Sequence, residues 1–434
     1  MVPCSDCYDR RRHAAARTAD YVFSQLIPYI GSKRKLLPLI REALGLIEAQ
    51  PPGRFLDLFA GSGVVARFAK QLGYAVMAND WEPYAAAINR CYIGCNRAPA
   101  CSALGGYGRA LAVLNALPPR AGWVTGHLCP RDDEQFDPCT ERMFYMRRNG
   151  MRIDAIREQI AAWKEAGAIS DVEEDCLLAP LLYQACYTSN TSGVFKGFHH
   201  GWGGKTGTAL YRIAGDLQLC PPVFLDNGRE NTVLQDDAQV LAERLGAAAI
   251  DIAYLDPPYN QHPYGSNYHV LNSIALWDKP SISPCVTRGT KAAIRTDWRT
   301  ARRSPYNYRR EAAAAYERLL AAIRARYVLT SYSTDGTIPL RTMLAANVAR
   351  GRVRAAMRGY KRYRVSTQRF SHKPMNVEFV LVLDTRRAND GSVDRLEEAI
   401  RACEASVLAA HPEGQGYGLP PEVVVSQGEL RETC

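Results

Sequence analysis

The stretch from Arg54 to Asp80 constrains the fold more than any other part of this 434-residue chain. It opens on the apolar run Phe55-Leu56-Asp57-Leu58-Phe59 and turns at Gly61-Ser62-Gly63. Apolar residues then recur at helical spacing through Phe68 and Leu72. A second strand pattern, Tyr74-Ala75-Val76-Met77-Ala78-Asn79, ends in Asp80. Strand, glycine turn, helix, strand and acid make one unit of a parallel α/β sheet. The glycines allow a tight turn and close approach of backbone to a ligand, and the helix N-terminus that follows favours negative charge. Asp80 is placed to accept hydrogen bonds from ribose hydroxyls. The third glycine of the dinucleotide fingerprint is missing, because Ala66 stands there.

Asp256-Pro257-Pro258-Tyr259 follows the apolar run Ile250–Leu255. That run reads as a short buried strand stopped by two prolines, which cannot continue a central ladder. A carboxylate at this edge faces the crevice where open α/β sheets bind ligands. Proline carbonyls only accept hydrogen bonds. With Asp256 they make a cluster of acceptors, and Tyr259 adds a flat face beside it. Such a site suits a planar ring carrying an exocyclic NH2 group. The plainer alternative is a strand-ending turn with a helix-capping Asp.

A third motif, Tyr29-x-Gly31-x-Lys33, lies upstream. Taken in order with Asp57-x-Phe59-x-Gly61-x-Gly63 and Asp256-Pro-Pro-Tyr259, it resembles the Dam-type (D12 class) N6-adenine DNA methyltransferases. The resemblance spans residues 25–95 and 180–385. Tyr29 stands where that family usually has Phe, which keeps the aromatic face. The resemblance implies an α/β fold: a Rossmann-like S-adenosylmethionine-dependent methyltransferase core with a mainly helical inserted target-recognition domain. The divisions expected are a polar tail over 1–24, a cofactor-binding half over 25–95 and an inserted region over 96–230. A catalytic half over 231–385 and a C-terminal helix and tail over 386–434 complete the chain.

The resemblance also implies roles. Asp57, Phe59, Gly61 and Gly63 belong to the cofactor turn, Asp80 to the ribose, and Trp81 to the flank of the cofactor's adenine. Tyr29, Gly31 and Lys33 would close over the methionine end. Asp237 matches the acid expected on the adenine amino group, with Asp236 as its rival. At the acceptor, Asp256 and Pro257 would hold the target amino group, Pro258 belongs to the same catalytic motif, and Tyr259 would stack on a flipped base. Methylation of RNA adenine or of cytosine N4 would need the same acceptors. A non-catalytic DNA-binding subunit is the alternative from another class.

Charge fits a polyanionic partner. The 54 Lys+Arg against 44 Asp+Glu give +10, and the stretch from Arg299 to Arg369 holds 17 basic residues against three acids. Tyr306, Tyr308, Tyr360 and Tyr363 interleave with the arginines of this stretch, Arg302 and Arg303 among them, a composition suited to nucleic-acid backbone contact, with solvated helix faces as the plainer alternative. Residues 189–208 carry seven residues of Gly or Asn, too many for regular structure. Lys196, His199 and Lys205 on that backbone suggest a DNA-contacting loop. Ahead of it, Met151–Ala166 and Glu173–Tyr187 read as helices. Double-stranded DNA is the expected partner, with a restriction endonuclease as an optional second one.

Thirteen cysteines suggest neither a disulfide framework nor a metal site: Cys4-x2-Cys7, Cys91, Cys95 and Cys101 match no paired zinc spacing. No signal-peptide pattern opens the chain and no apolar run is long enough for a bilayer. A cytoplasmic protein with reduced thiols is expected.

Overall fold

The structure is a computed structural model. It describes residues 21–204, 207–246, 250–261, 263–283, 302–361, 375–389 and 391–410, single residues 286, 295 and 300, and the strands at 423–426 and 430–432.

The described strands form one sheet: β1 (Arg54–Asp57), β2 (Ala75–Asn79), β3 (Thr232–Leu234), β4 (Ile250–Leu255), β5 (Ala325–Ser333), β6 (Arg352–Lys361), β7 (Met375–Asp384), β8 (Val423–Ser426) and β9 (Leu430–Glu432). Their order is β3-β2-β1-β4-β5-β7-β6-β8-β9. The first five are parallel, and β7 runs antiparallel to both β5 and β6. This is the Rossmann-like core expected from the Arg54–Asp80 unit.

Alternation along the strands explains why both faces are covered. Phe55, Ile252 and Tyr254 point into one apolar layer, whereas Leu56, Ala253 and Leu255 point into the other. Successive side chains leave opposite faces of a strand, so an unbroken apolar run needs cover on both sides. The helices Val64–Gln71 and Pro83–Asn89 contribute to the first layer, and Arg309–Ala322 and Leu340–Val348 to the second.

The insert is mainly helical. Arg147–Glu165 buries Ile153, Ile156 and Ile160, at the spacing that marked it in the sequence. Asp171–Tyr187 starts at a reciprocal cap: Ser170 accepts from the Glu173 backbone, and the Glu173 carboxylate accepts from the Ser170 backbone. Both helices bury residues in the same layer as the first face of the sheet. No helix among the described residues is long and apolar enough to cross a membrane.

Three boundaries differ from expectation. Tyr21, Val22 and Ser24 are buried in the core rather than lying in a polar tail. The Tyr21 hydroxyl donates to Tyr92 O at 2.6 Å, and buried Arg67 donates to Ser24 O at 2.7 Å. Part of the basic stretch forms β6, whose cationic side chains mask a strand pattern. The segment after Val393–Ala410 is not only a tail, since β8 and β9 extend the sheet. Cys4 and Cys7 lie outside the described residues, as does Lys205.

Candidate active site

The strand order reverses between β1 and β4, and the carboxyl ends of β1, β2 and β4 meet at one edge. Open α/β sheets leave a crevice at such a switch point. Here Asp57 ends β1 opposite Tyr254, Asp80 follows β2, and Asp256 follows β4. An open cleft of about 940 Å³, solvent-facing space included, runs along this edge. Tyr29, Phe59, Asp80, Trp81, Asp237, Asp256 and Pro258 are among its lining residues.

One end of the cleft adjoins the glycine turn, although Gly61 and Gly63 are not themselves lining residues and the Tyr29 ring lies over Gly61. Gly61 and Gly63 take left-handed backbone, with φ of +52° and +79°, which explains why glycine stands at both positions. Gly63 opens the helix Val64–Gln71. Asp80 ties the turn to β2: its Oδ2 accepts from Gly61 N at 2.7 Å and its Oδ1 from Glu82 N at 2.9 Å. Burial lifts the Asp80 carboxyl to about 6 despite those bonds. Asp57 is fully buried and is not a lining residue. Its Oδ1 accepts from Phe59 N at 3.3 Å, so it braces the turn. Phe59 meets Tyr306 edge-on at 5.7 Å.

Asp236 and Asp237 both reach this end. Asp237 Oδ1 caps the helix Ala238–Leu245, accepting from Gln239 N at 2.9 Å, while the Asp236 carboxylate pairs with Arg244. Flat apolar walls, carboxylates and a glycine turn can together hold a nucleoside with an amino-acid tail. Glu82 is a lining residue that the sequence reading missed. Burial raises it to about 7, and it accepts from Asn272 Nδ2 at 2.6 Å.

The other end is built on Asp256. Lys33, 2% exposed, places its Nζ 2.8 Å from Asp256 Oδ1. Burial raises the Asp256 carboxyl, and Lys33 offsets part of that rise. Burial alone would lower Lys33, but Asp256 and Glu378 beside it hold the ammonium well above its ordinary range. Pro257 is buried, and Pro258 and Tyr259 are half-buried. Tyr259 lies under the Lys33 ammonium at 4.9 Å and meets Tyr332 edge-on at 5.6 Å.

Tyr29 lies over the glycine turn and lines the cleft. Its ring stacks on Tyr264 and on Tyr268, each at 5.2 Å. The Tyr264 hydroxyl donates to Ile30 O at 2.9 Å, and Ile30 N donates to the Tyr268 hydroxyl at 2.9 Å. The sequence reading missed this pile, although Tyr264 and Tyr268 stand four residues apart, which puts them on one face of a helical turn.

Residues 29–284 match the model of the D12 class N6 adenine-specific DNA methyltransferase family. The chain belongs to that family. It is 32% identical over 360 residues to the Type II methyltransferase M.NlaIII of Neisseria lactamica, covering 82% of this chain and 98% of that protein. It is 31% identical over 342 residues to the Type II methyltransferase M.CviAII of Paramecium bursaria Chlorella virus 1, covering 78% and 93%. Modification methylase StsI of Streptococcus sanguinis is 30% identical over 71% of this chain, which spans 44% of that longer protein. Membership in the D12 class supports S-adenosylmethionine-dependent methyl transfer to DNA.

In this D12-class chain the glycine-rich segment is irregular, as its composition requires, yet firmly anchored. Buried Asn190 donates from Nδ2 to His199 O at 3.0 Å and accepts at Oδ1 from Gly203 N at 3.1 Å. Phe195 N donates to Asn267 O at 2.7 Å. Lys196 is exposed and His199 half-buried. Arg302 and Arg303, the pair expected to face phosphate, both have partners within the fold. Arg302 lines the cleft and donates to Trp81 O, and Arg303 is ion-paired with Glu311 over the Tyr308 ring. Their local partners are acids and carbonyls of this fold, which a count of arginines does not reveal. Among the described residues no group of three or more His, Cys, Asp or Glu converges on a metal-sized site.

Proposed function

We propose that the protein transfers a methyl group from S-adenosylmethionine to N6 of an adenine flipped out of duplex DNA, as a Dam-type enzyme. The observation that carries this reading is the position of Asp256, paired with Lys33 at the end of β4 and lining the same cleft as Asp80 and Trp81.

Gly61, beneath the Tyr29 ring, and Gly63 would hold the donor's amino-acid end, and Asp80 would meet its ribose. Phe59, Trp81 and Tyr306, which line the cleft, would flank its base, with Asp236 or Asp237 meeting the amino group. The donor supplies an activated methyl group, so the chain's task is to prepare the acceptor. Asp256 and the Pro257 carbonyl accept hydrogen bonds from the target amino group and turn its lone pair toward the methyl. Tyr259 stacks on the extruded base, which costs a few kcal/mol to unstack. Positioning and fixed charge carry the rate, without a covalent enzyme intermediate.

The divisions 25–95 and 231–385 serve as cofactor and catalytic halves, and 96–230 as the target-recognition insert. Lys196 and His199 are its DNA-contacting groups, joined by Lys205 on the sequence alone. A modification role beside a restriction endonuclease is supported by relatives named as Type II methyltransferases and a modification methylase. The test is incubation with labelled cofactor and duplex DNA, followed by digestion to nucleosides. Label in N6-methyladenine is expected. Label in cytosine, or in RNA alone, would overturn the substrate assignment.

A further inference from the structure

Glu82 lines the cleft two residues after Asp80, and the scheme above gives it no task. It is 6% exposed. Its Oε2 accepts from Asn272 Nδ2 at 2.6 Å, and its Oε1 has no hydrogen-bond partner among the described residues. A carboxylate oxygen left without a donor, on a side chain otherwise enclosed, is an acceptor ready for a ligand's hydroxyl.

The place of Glu82 in the chain accounts for this freedom. It precedes the helix Pro83–Asn89, at the position whose side chain ordinarily accepts from the first backbone N–H groups. Here its side chain caps nothing. Asn272, fully buried on the helix His269–Leu276, takes that part: its Oδ1 accepts from Tyr84 N at 3.3 Å. One amide thus serves the helix start with its oxygen and fixes Glu82 with its nitrogen. Asp80 is placed differently. Each of its oxygens already accepts from a backbone N–H, of Gly61 and of Glu82, and keeps capacity for one further bond. Arg302, also a lining residue, lies beside both carboxylates and favours their charged forms.

We propose that Glu82 is a second ribose-binding residue: its Oε1 accepts one of the two ribose hydroxyls of S-adenosylmethionine, while Asp80 accepts the other. The inference rests on the reading of the cleft as the cofactor site. A ribose presents two neighbouring hydroxyl donors, and two carboxylates lining one cleft match them, donor for acceptor. Asp80 alone would have to serve both hydroxyls from oxygens already bonded to backbone. Asn272 is the positioning residue, because it holds Glu82 with one oxygen left free. It stands on a helix that follows the Asp256 motif, so the part of the chain that carries the acceptor site also sets the grip on the ribose.

The test is calorimetry with S-adenosylhomocysteine and with its two forms lacking either ribose hydroxyl, at a pH above the value of about 7 to which burial raises Glu82. A hydrogen bond to a charged acceptor is strong enough that wild type should bind each deoxy form roughly tenfold or more weakly than the parent. Glu82→Ala should bind the parent more weakly by a similar factor. It should lose the penalty for one deoxy form and keep the penalty for the other, whose hydroxyl belongs to Asp80. Glu82→Gln keeps the shape without the charge, so it should shrink the same single penalty, since charge-assisted bonds are roughly twice as strong as neutral ones. It serves if Glu82→Ala does not fold. Both penalties kept, or both lost, overturn the proposal, even if the variant melts earlier or binds the parent less tightly. A residue that only shapes the site leaves the discrimination between the deoxy forms intact. If wild type does not bind S-adenosylhomocysteine, the reading of the cleft fails instead.

Discussion

Gly61 sits beneath the ring of Tyr29: a Cβ on Gly61 would lie 2.8 Å from two carbons of that ring. The glycine turn and the aromatic cover therefore fit only while residue 61 has no side chain. Gly61→Ala should combine left-handed strain of about 1–2 kcal/mol with an overpacking cost of about 1–3 kcal/mol. Cofactor affinity should fall together with thermal stability, read by calorimetry with S-adenosylmethionine and by melting. A variant that melts and binds like wild type would mean that Tyr29 does not close the turn.

Asp256→Asn should stop transfer while leaving cofactor affinity nearly unchanged, because the glycine turn is intact. The rate loss should be on the order of 10²–10³, the size seen when one preorganised electrostatic contact is removed. Lys33 would lose its ion-pair partner. Stability should fall by less than the about 3–5 kcal/mol of a fully buried broken pair, since Glu378 remains nearby and Asp256 is partly open to water. Near wild-type turnover on duplex DNA would remove Asp256 from the chemistry.

Stability without cofactor should fall as pH rises from acid toward neutral. Burial raises Asp80 to about 6, and Glu82 and Asp175 to about 7, from ordinary values of 3.8, 4.5 and 3.8. Between those limits the folded chain keeps protons that the unfolded chain has lost. Stability therefore declines across this window, by at most about 1.4 kcal/mol per pH unit for each such proton. Glu82→Gln should flatten the decline between pH 4.5 and about 7. Melting temperature against pH reads both slopes, and parallel curves for the two proteins would refute the assignment.

Asn190→Ala should cost on the order of 1–3 kcal/mol, because His199 O and Gly203 N lose their side-chain partner in a buried setting. The loop should then lose its shape and methylation its site preference, with cofactor affinity kept. Lys196→Ala should change the methylation of different sequences unequally if its ammonium reads a base edge. Sequencing of a methylated random duplex pool measures both variants, and an unaltered preference in both would place recognition elsewhere in the 96–230 insert.

Arg302→Ala should weaken cofactor binding more than DNA binding, since Arg302 lines the cleft beside Trp81 and interacts with Asp80 and Glu82. Arg303→Ala should leave the salt dependence of DNA binding unchanged, because its charge is already met by Glu311. A slope flattened by about one unit in the second variant would return Arg303 to the DNA face.

The parallel half of the fold was legible because its signals are local. A glycine turn after an apolar run, an acid after the next strand, and prolines ending β4 each act within a few residues. What stayed hidden depends on distant partners. Glu378 lies in a mostly apolar strand, and only the pairing of β7 with β5, which sets it opposite Ser333, gives it a polar setting. β6 reads as a basic segment because its apolar residues alternate with arginines. Tyr21 reads as tail until Arg67 and Tyr92 are seen to receive the chain there.

β7 is synthesised after β6 yet lies between β5 and β6. The outer edge of β5, with Val328, Leu329 and Tyr332 along it, therefore finds its lasting neighbour only after Asp384 has left the ribosome. At about 5–20 residues per second, a newly made chain carries an open, apolar strand edge for several seconds. Such an edge is a template for pairing with other chains. A fragment ending before residue 375 would keep all three sequence motifs and still expose that edge permanently.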